Sequence, residues 1–74
     1  LAKNLIIFKK GLKTNKNVKK LLLAKKKDLN KLYDIKIEYL ELRNKINLKV
    51  TRVVKNSKLF VAYYMNKTRL IDNF

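Results

Sequence analysis

The sequence has 74 residues, of which 20 are Lys or Arg and five are Asp or Glu, so its formal net charge is +15. It contains no Cys, His, Pro or Trp and one Gly. This composition excludes a disulfide framework, a zinc finger, a thiol nucleophile and an imidazole base, and the length allows one small domain of marginal stability.

The surplus of positive charge is the strongest feature of the composition. A net charge of +15 makes the chain repel itself, and it bears on association rather than on fold. We therefore expect a polyanion as partner. Lys, Asn, Ile, Tyr and Phe, which are all read from A/T-rich codons, make up 39 of the 74 residues. This bias predicts a mitochondrion or other organelle, or the cytoplasm of an A/T-rich organism, as the location.

The first 31 residues are the most basic part of the chain. Residues 1–31 hold eleven Lys and one acidic residue, so their net charge is +10. Asn4 is a candidate cap for a short helical turn from Leu5 to Lys10, and Gly11 follows where that turn would end. We expect residues 1–27 to form a basic extension that orders mainly when anions neutralise its lysines.

A second helix is predicted to begin at Thr14 or Asn15. Its apolar residues form a narrow stripe and the rest of its surface is cationic, so it would be weak alone in water. The stripe contains Val18, Leu21 and Leu22, and the cationic surface contains Lys16, Lys19, Lys20, Lys25, Lys26 and Lys27.

The main helix is predicted at about residues 30–47. Large apolar residues recur there at spacings of three and four, which is the period of one helix face. Asn30 is a suitable cap, and no Gly or Pro interrupts the segment. The recurring residues are Leu32, Ile35, Tyr39, Leu42 and Ile46.

Alternation of apolar and polar residues leaves a strand alternative open. Ile35, Ile37 and Tyr39 alternate with charged residues, and residues 46–64 are rich in Val, Phe and Tyr. For residues 46–64 the alternative is a β-hairpin that turns at residues 55–57.

A last helix completes the favoured architecture. Asn56 or Ser57 is its candidate cap, and residues 49–55 would connect it to the main helix. The predicted fold is all-α: an antiparallel two-helix hairpin over residues 28–74, preceded by the basic, partly helical extension over residues 1–27. Two helices give a thin core, so binding is expected to supply part of the stability.

The acidic residues predict neither a metal site nor catalysis. Asp34, Glu38 and Glu41 would share one helix face, but divalent sites need more converging oxygens, so a solvated face is the expected role. One Gly is too few for a phosphate-cradling loop, and there is no GxSxG motif. The sequence predicts no catalytic residue, no metal site and no cofactor, and therefore no enzyme.

The basic residues carry the predicted function. Lys ammonium groups neutralise phosphates and release counterions, so binding depends strongly on salt and little on sequence. A guanidinium can engage a phosphate through two hydrogen bonds or stack on a base. The candidate RNA-binding residues are Lys9, Lys10, Lys13, Lys16, Lys19, Lys20, Lys25, Lys26, Lys27, Lys31, Arg43, Lys49, Arg52, Lys55, Lys58, Lys67 and Arg69.

Three short stretches resemble a known family. Residues 40–43 (Leu-Glu-Leu-Arg), 47–52 (Asn-Leu-Lys-Val-Thr-Arg) and 67–71 (Lys-Thr-Arg-Leu-Ile) are similar to the large-subunit ribosomal protein L-twenty-nine family. The resemblance covers roughly residues 28–72, and residues 1–27 would be an extension outside it.

The resemblance implies a small helical hairpin that binds large-subunit rRNA beside the peptide exit tunnel and meets neighbouring ribosomal proteins. It also implies that Arg43, Arg52 and Arg69 lie near rRNA. The sequence departs from the family pattern in two places: the connecting loop has neither Gly nor Pro, and Tyr63 and Tyr64 replace a basic pair.

These features together predict a structural constituent of the ribosome, in first place a mitochondrial large-subunit protein. Its partners would be rRNA and neighbouring ribosomal proteins, with no small-molecule substrate. Two alternatives stay open: a membrane-surface peptide that inserts Leu5 to Phe8 and Leu21 to Leu23 among lipid headgroups, and a nucleoid-type DNA-binding protein. No apolar run reaches the roughly 20 residues of a transmembrane helix.

Overall fold

The computed structural model describes residues 1–12 and 17–74. In this part of the chain, two helices precede a three-stranded antiparallel sheet with strand order β1-β2-β3. The all-α prediction is therefore wrong, and the fold combines helices with a sheet. The helices are α1 (Ala2–Gly11) and α2 (Val18–Tyr33), and the strands are β1 (Lys36–Asn44), β2 (Ser57–Met65) and β3 (Thr68–Asn73).

The end of α2 and the strand β1 replace the helix predicted over residues 30–47. Asp34 adopts a left-handed conformation with φ 50° and ends α2. Asn30 lies inside α2 and is not its cap. Its Oδ1 accepts a hydrogen bond from the backbone N–H of Ile37 at 2.7 Å, and this contact holds the turn from α2 into β1.

A bulge in β1 decides which of its residues are buried. The register with β2 shifts between Ile37 and Tyr39, so Glu38 is the extra residue. Ile37, Leu40 and Leu42 all lie buried as a result, at spacings of three and two. A strand without a bulge would bury every second residue. The residues whose spacing predicted a helix do not share a face, because Leu42 is buried whereas Ile46 is 90% exposed.

β2 occupies the segment for which the last helix was predicted. Ser57 begins this strand, and its Val, Phe and Tyr residues favour a pleated, half-buried surface. The hairpin considered for residues 46–64 is right for its second arm, which coincides with β2, and wrong for its first arm, because β1 ends at Asn44 and residues 45–56 connect it to β2. The tight turn from β2 to β3 contains Asn66 with φ 58°.

The described part of the N-terminal third is largely helical, with bounds that differ from those predicted. α1 begins at Ala2, so Asn4 lies inside it and donates from its side-chain amide to the hydroxyl oxygen of Tyr33 at 3.4 Å. Gly11 is the last residue of α1 and has no positive φ. The predicted helix start at Thr14 or Asn15 lies outside the described residues.

Both helices contribute to one hydrophobic core together with the inner face of the sheet. Part of residues 1–27 thus packs with the sheet, and the predicted division of the chain after residue 27 stays a prediction. The buried cluster consists of Leu5, Leu12, Val18, Leu22, Leu29, Ile37, Leu40, Leu42, Leu59 and Val61.

Candidate functional site

A cleft of about 280 Å³ opens between α2, β1 and the connection from β1 to β2. Each of the three segments contributes three consecutive or nearly consecutive residues to its walls. The lining residues are Lys19, Leu22 and Leu23 of α2, Leu40, Glu41 and Leu42 of β1, and Val50, Thr51 and Arg52 of the connection.

The floor of the cleft is apolar and fixed in place. Leu22, Leu40 and Leu42 belong to the buried core, so the cleft rests on the best-packed part of the molecule. The wall beside β1 is held by backbone hydrogen bonds from Asn44 N to Lys49 O and from Thr51 N to Leu42 O, both 2.9 Å long. The connection therefore lies against the edge of β1.

The rim of the cleft carries two positive charges that are not neutralised within the described part of the chain. Glu41 also lines the cleft, but its Oε1 accepts a hydrogen bond of 2.8 Å from Nε of Arg43 and pairs with the guanidinium. Lys19 and Arg52 form no ion pair with any residue in 1–12 or 17–74. An apolar floor below two unpaired cations suits a small organic anion with an apolar body.

The other two arginines are occupied on the outer face of the sheet. The Arg43 guanidinium lies 5.6 Å from the centre of the Tyr39 ring and 5.5 Å from that of Phe60. Arg69 Nε donates to Glu38 Oε2 at 2.7 Å. This hydrogen bond lowers the pKa of Glu38 and raises the pKa of Arg69.

Three lysines of the helices contact other parts of the fold. Lys9 Nζ donates to the backbone oxygen of Ser57 at 3.0 Å, and burial, followed by repulsion from Lys45 and Lys58, lowers the pKa of Lys9. Lys26 Nζ donates to the backbone oxygen of Glu38 at 3.1 Å. The third, Lys25, lies over the ring of Phe8 at 5.4 Å from its centre.

Among the candidate RNA-binding residues that the structure describes, only Lys19 and Arg52 line the cleft. Lys13 and Lys16 lie outside the described residues. That the candidate residues contact phosphate stays a prediction. Lys9 and Lys10 lie on α1; Lys19, Lys20, Lys25, Lys26, Lys27 and Lys31 on α2; Arg43 on β1; Lys49, Arg52 and Lys55 in the connection; Lys58 on β2; Lys67 in the last turn; Arg69 on β3.

The apolar lining of the cleft was missed by the sequence analysis. Leu40 fell within the predicted main helix, and Val50 within the predicted connection or the alternative hairpin. Nothing local places either residue beside Lys19. The bridge between Arg43 and Val50 is a tertiary contact. The alternation of Val50 with its polar neighbours was the available signal, since it indicates an extended segment.

The acidic residues do not converge. Asp34 ends α2, Glu38 pairs with Arg69 across the sheet and Glu41 pairs with Arg43. Across the described ranges there is no group of three or more His, Cys, Asp or Glu residues that could hold a metal ion. Nor does any helix in those ranges have the length and apolar character needed to cross a bilayer.

A comparison with protein families provides the link to a known activity. The family model described as Pantoate-beta-alanine ligase matches residues 1–74, which is the whole sequence given. Comparisons with curated proteins and with solved structures gave no match.

This match overturns the functional predictions made from the sequence. The resemblance to the ribosomal family is wrong, because the matched family is a ligase family and the fold has no two-helix hairpin over residues 28–74. The predictions of a ribosomal protein, of rRNA and ribosomal proteins as partners, and of no small-molecule substrate are wrong with it, as are the two alternatives. So is the prediction that the chain has no part in an enzyme, since the chain belongs to the pantoate–beta-alanine ligase family.

Proposed function

We propose that this chain serves an enzyme that joins pantoate to β-alanine through an amide bond. The family match over residues 1–74 is the observation that carries the proposal. In this reaction the amine nitrogen of β-alanine bonds to the carboxyl carbon of pantoate, and a carboxylate oxygen leaves. ATP supplies a group that activates the carboxylate, and the carboxylate oxygen leaves together with that group.

The composition is compatible with this chemistry. The nucleophile is the substrate amine, and the electrophile is the activated carboxyl group of the other substrate, so no thiol or imidazole of the protein needs to form a covalent bond. Such an enzyme can act by holding two reactants in contact and by stabilising negative charge. The lack of His and Cys therefore limits covalent and imidazole catalysis by this chain. It does not prevent catalysis by positioning of the two substrates.

The cleft supplies groups for the positioning role. Lys19 and Arg52 attract an anionic group at the rim, and the floor of Leu22, Leu40 and Leu42 accepts an apolar body. Pantoate combines a carboxylate with a branched apolar carbon, and ATP carries phosphates. Both are anionic, and we assign Lys19 and Arg52 to the binding of an anionic substrate of the ligation.

Steady-state kinetics of amide formation test this assignment in the expressed protein. For Arg52→Ala and Lys19→Ala we expect the KM of one anionic substrate to rise about tenfold, which corresponds to about 1.4 kcal/mol of binding free energy, with kcat little changed. Lys45→Ala is the matched control, because it removes one exposed positive charge from the same connection at a position that does not line the cleft.

The two parts of the proposal fail in different ways. If the native protein forms no amide from pantoate, β-alanine and ATP, the proposed activity is wrong. If it forms the amide and Lys45→Ala raises KM as much as Arg52→Ala does, the activity stands and the cleft is not the binding site.

A further inference from the structure

Three lysines from three different segments meet at the end of the sheet where β2 begins. Lys9 of α1 donates from Nζ to the backbone oxygen of Ser57 at 3.0 Å, and Lys58 is the next residue of β2. The backbone N–H of Lys45, in the connection, donates to the oxygen of Asn56 at 2.9 Å. The start of β2 therefore gathers α1 and the connection around it, and we call these three lysines the lysine cluster.

The lysine cluster concentrates positive charge without an internal counter-charge. Burial is the largest cause of the lowered pKa of Lys9, and repulsion by Lys45 and Lys58 lowers it further. Across residues 1–12 and 17–74, no carboxylate lies within ion-pair distance of any of the three. The fold bears the cost of this repulsion, and a bound anion would remove it.

Most hydrogen-bond donors of the lysine cluster are unused within the described ranges. An ammonium group has three N–H donors, and Lys9 uses one of them for Ser57. Of the described lysines, only Lys9 and Lys26 donate a hydrogen bond from Nζ to another described residue. The cluster can therefore donate to an anion without breaking a contact of the fold.

A phosphate group matches three separate ammonium groups in charge and in number of acceptors. A phosphate monoester carries a charge of about −1.5 to −2 at pH 7 and has three strong acceptor oxygens, so each lysine can donate to a different oxygen. Lysine binds phosphate as a point charge, without the planar fork of arginine. A carboxylate carries a single charge and would neutralise less of the cluster.

A cleft beside Lys9 has room for an organic group attached to the phosphate. It measures about 410 Å³ and is lined by Ile6, Lys9, Lys10 and Phe74. It shares no lining residue with the cleft between α2, β1 and the connection. The lysine cluster and the proposed substrate cleft are therefore separate sites.

We propose that Lys9, Lys45 and Lys58 bind a phosphate group, either free or at the end of an ester whose apolar body enters the cleft lined by Ile6 and Phe74. The proposal does not depend on the proposed ligation, because the site lies outside the substrate cleft. Amide formation is not expected to need this site, so its loss should leave the KM values of the ligation unchanged.

Isothermal titration calorimetry of the expressed protein with inorganic phosphate tests the site, with NaCl holding the ionic strength constant. Lys9→Met, Lys45→Met and Lys58→Met should each weaken phosphate binding about threefold to fivefold, because each removes one charged partner. Lys3→Met and Lys67→Met are the matched controls. They remove the same charge from α1 and from the turn at the other end of β2, and should leave the affinity unchanged.

Phenyl phosphate distinguishes the two forms of the ligand. Binding tighter than that of inorganic phosphate means that an ester is bound with its body in the cleft, and equal binding means that the site takes the phosphate group alone.

NMR titration of the Lys9 side chain gives a measurement that does not depend on a variant. Bound phosphate should raise the pKa of Lys9, because an adjacent negative charge favours the ammonium form. Three results would each overturn the proposal: no saturable phosphate binding, equal weakening by Lys67→Met and Lys58→Met, or a pKa of Lys9 that does not rise with phosphate.

Discussion

Single residues decide which side chains of β1 reach the core. Glu38 is the extra residue of the bulge, and its insertion lets Ile37 and Leu40 lie on the same face. The carboxylate of Glu38 stays outside and pairs with Arg69 of β3. Nothing in the local sequence marks Glu38 as a bulge, because its role follows from the register with β2.

Lys9 is a residue whose charge opposes folding at neutral pH. Burial, and then Lys45 and Lys58, lower the pKa of Lys9 below its ordinary value of 10.5. The folded state therefore prefers the neutral amine more than the unfolded state does. The penalty is complete below the folded pKa and is relieved as pH rises from that pKa to 10.5.

We predict that the native protein gains stability relative to Lys9→Met across this alkaline range. The Met variant lacks the titrating group, so the difference in free energy of unfolding between the two proteins should move in favour of the native protein as pH rises. Urea unfolding at a series of pH values measures it. Lys3→Met, at an exposed position of the same helix, is the control, and a flat difference for Lys9→Met would contradict the prediction.

At the scale of elements, α2 ends where its sequence offers no ordinary helix stop. The helical spacing continues past Tyr33, which is why a helix was predicted there, but Asp34 takes a left-handed conformation and the chain enters β1. The pairing of β1 with β2 and the hydrogen bond between Asn30 and Ile37 stabilise this ending. Both interactions involve residues beyond the end of the helix, so a prediction from helical periodicity could not include them.

We predict that Asp34→Gly stabilises the protein by up to about 1 kcal/mol. Glycine adopts the left-handed conformation without a steric cost, and the change removes a negative charge from the C-terminal end of α2. Asp28→Gly makes the same substitution inside α2, where it should cost about 0.5 kcal/mol.

Thermal unfolding of the two variants separates these effects. The melting temperature should rise for Asp34→Gly and fall for Asp28→Gly. Equal decreases in both would mean that the Asp34 side chain stabilises the turn by more than its conformation costs.

At the scale of the whole molecule, repulsion among the cations opposes a small core. Only two ion pairs, Arg43 with Glu41 and Arg69 with Glu38, are present across residues 1–12 and 17–74. The surplus of +15 is therefore largely unpaired in the folded state. Screening by salt reduces this repulsion most in the compact state, where the charges lie closest.

We predict that raising NaCl from about 0.01 M to about 0.5 M increases the melting temperature by about 4–8 °C, the shift that about 1 kcal/mol produces in a domain of this size. Differential scanning calorimetry at a low, fixed protein concentration checks it. A variant with Lys3→Glu and Lys45→Glu carries less positive charge and should respond less to salt. A melting temperature that falls with salt would refute the prediction.

The inventory of chemical groups could be read from the amino-acid sequence alone. The lack of imidazole and thiol groups, the surplus of lysine and the helical character of much of the N-terminal third belong to this inventory, because composition and short-range periodicity do not depend on how distant segments meet. The function could not be read from the sequence, since the proposed ligation of two small molecules takes its reacting groups from the substrates and leaves no nucleophile motif to find.

Contacts between distant segments set where β1 begins and which residue forms its bulge. They also bring two of the many cations, Lys19 and Arg52, to the lining of one cleft. Such contacts also cover the edge of β1 with Lys49 and Thr51 of the connection. Each of these outcomes depends on hydrogen bonds and burial between residues far apart in the chain. Such contacts contribute free energy only after the segments have come together, so no local pattern records them.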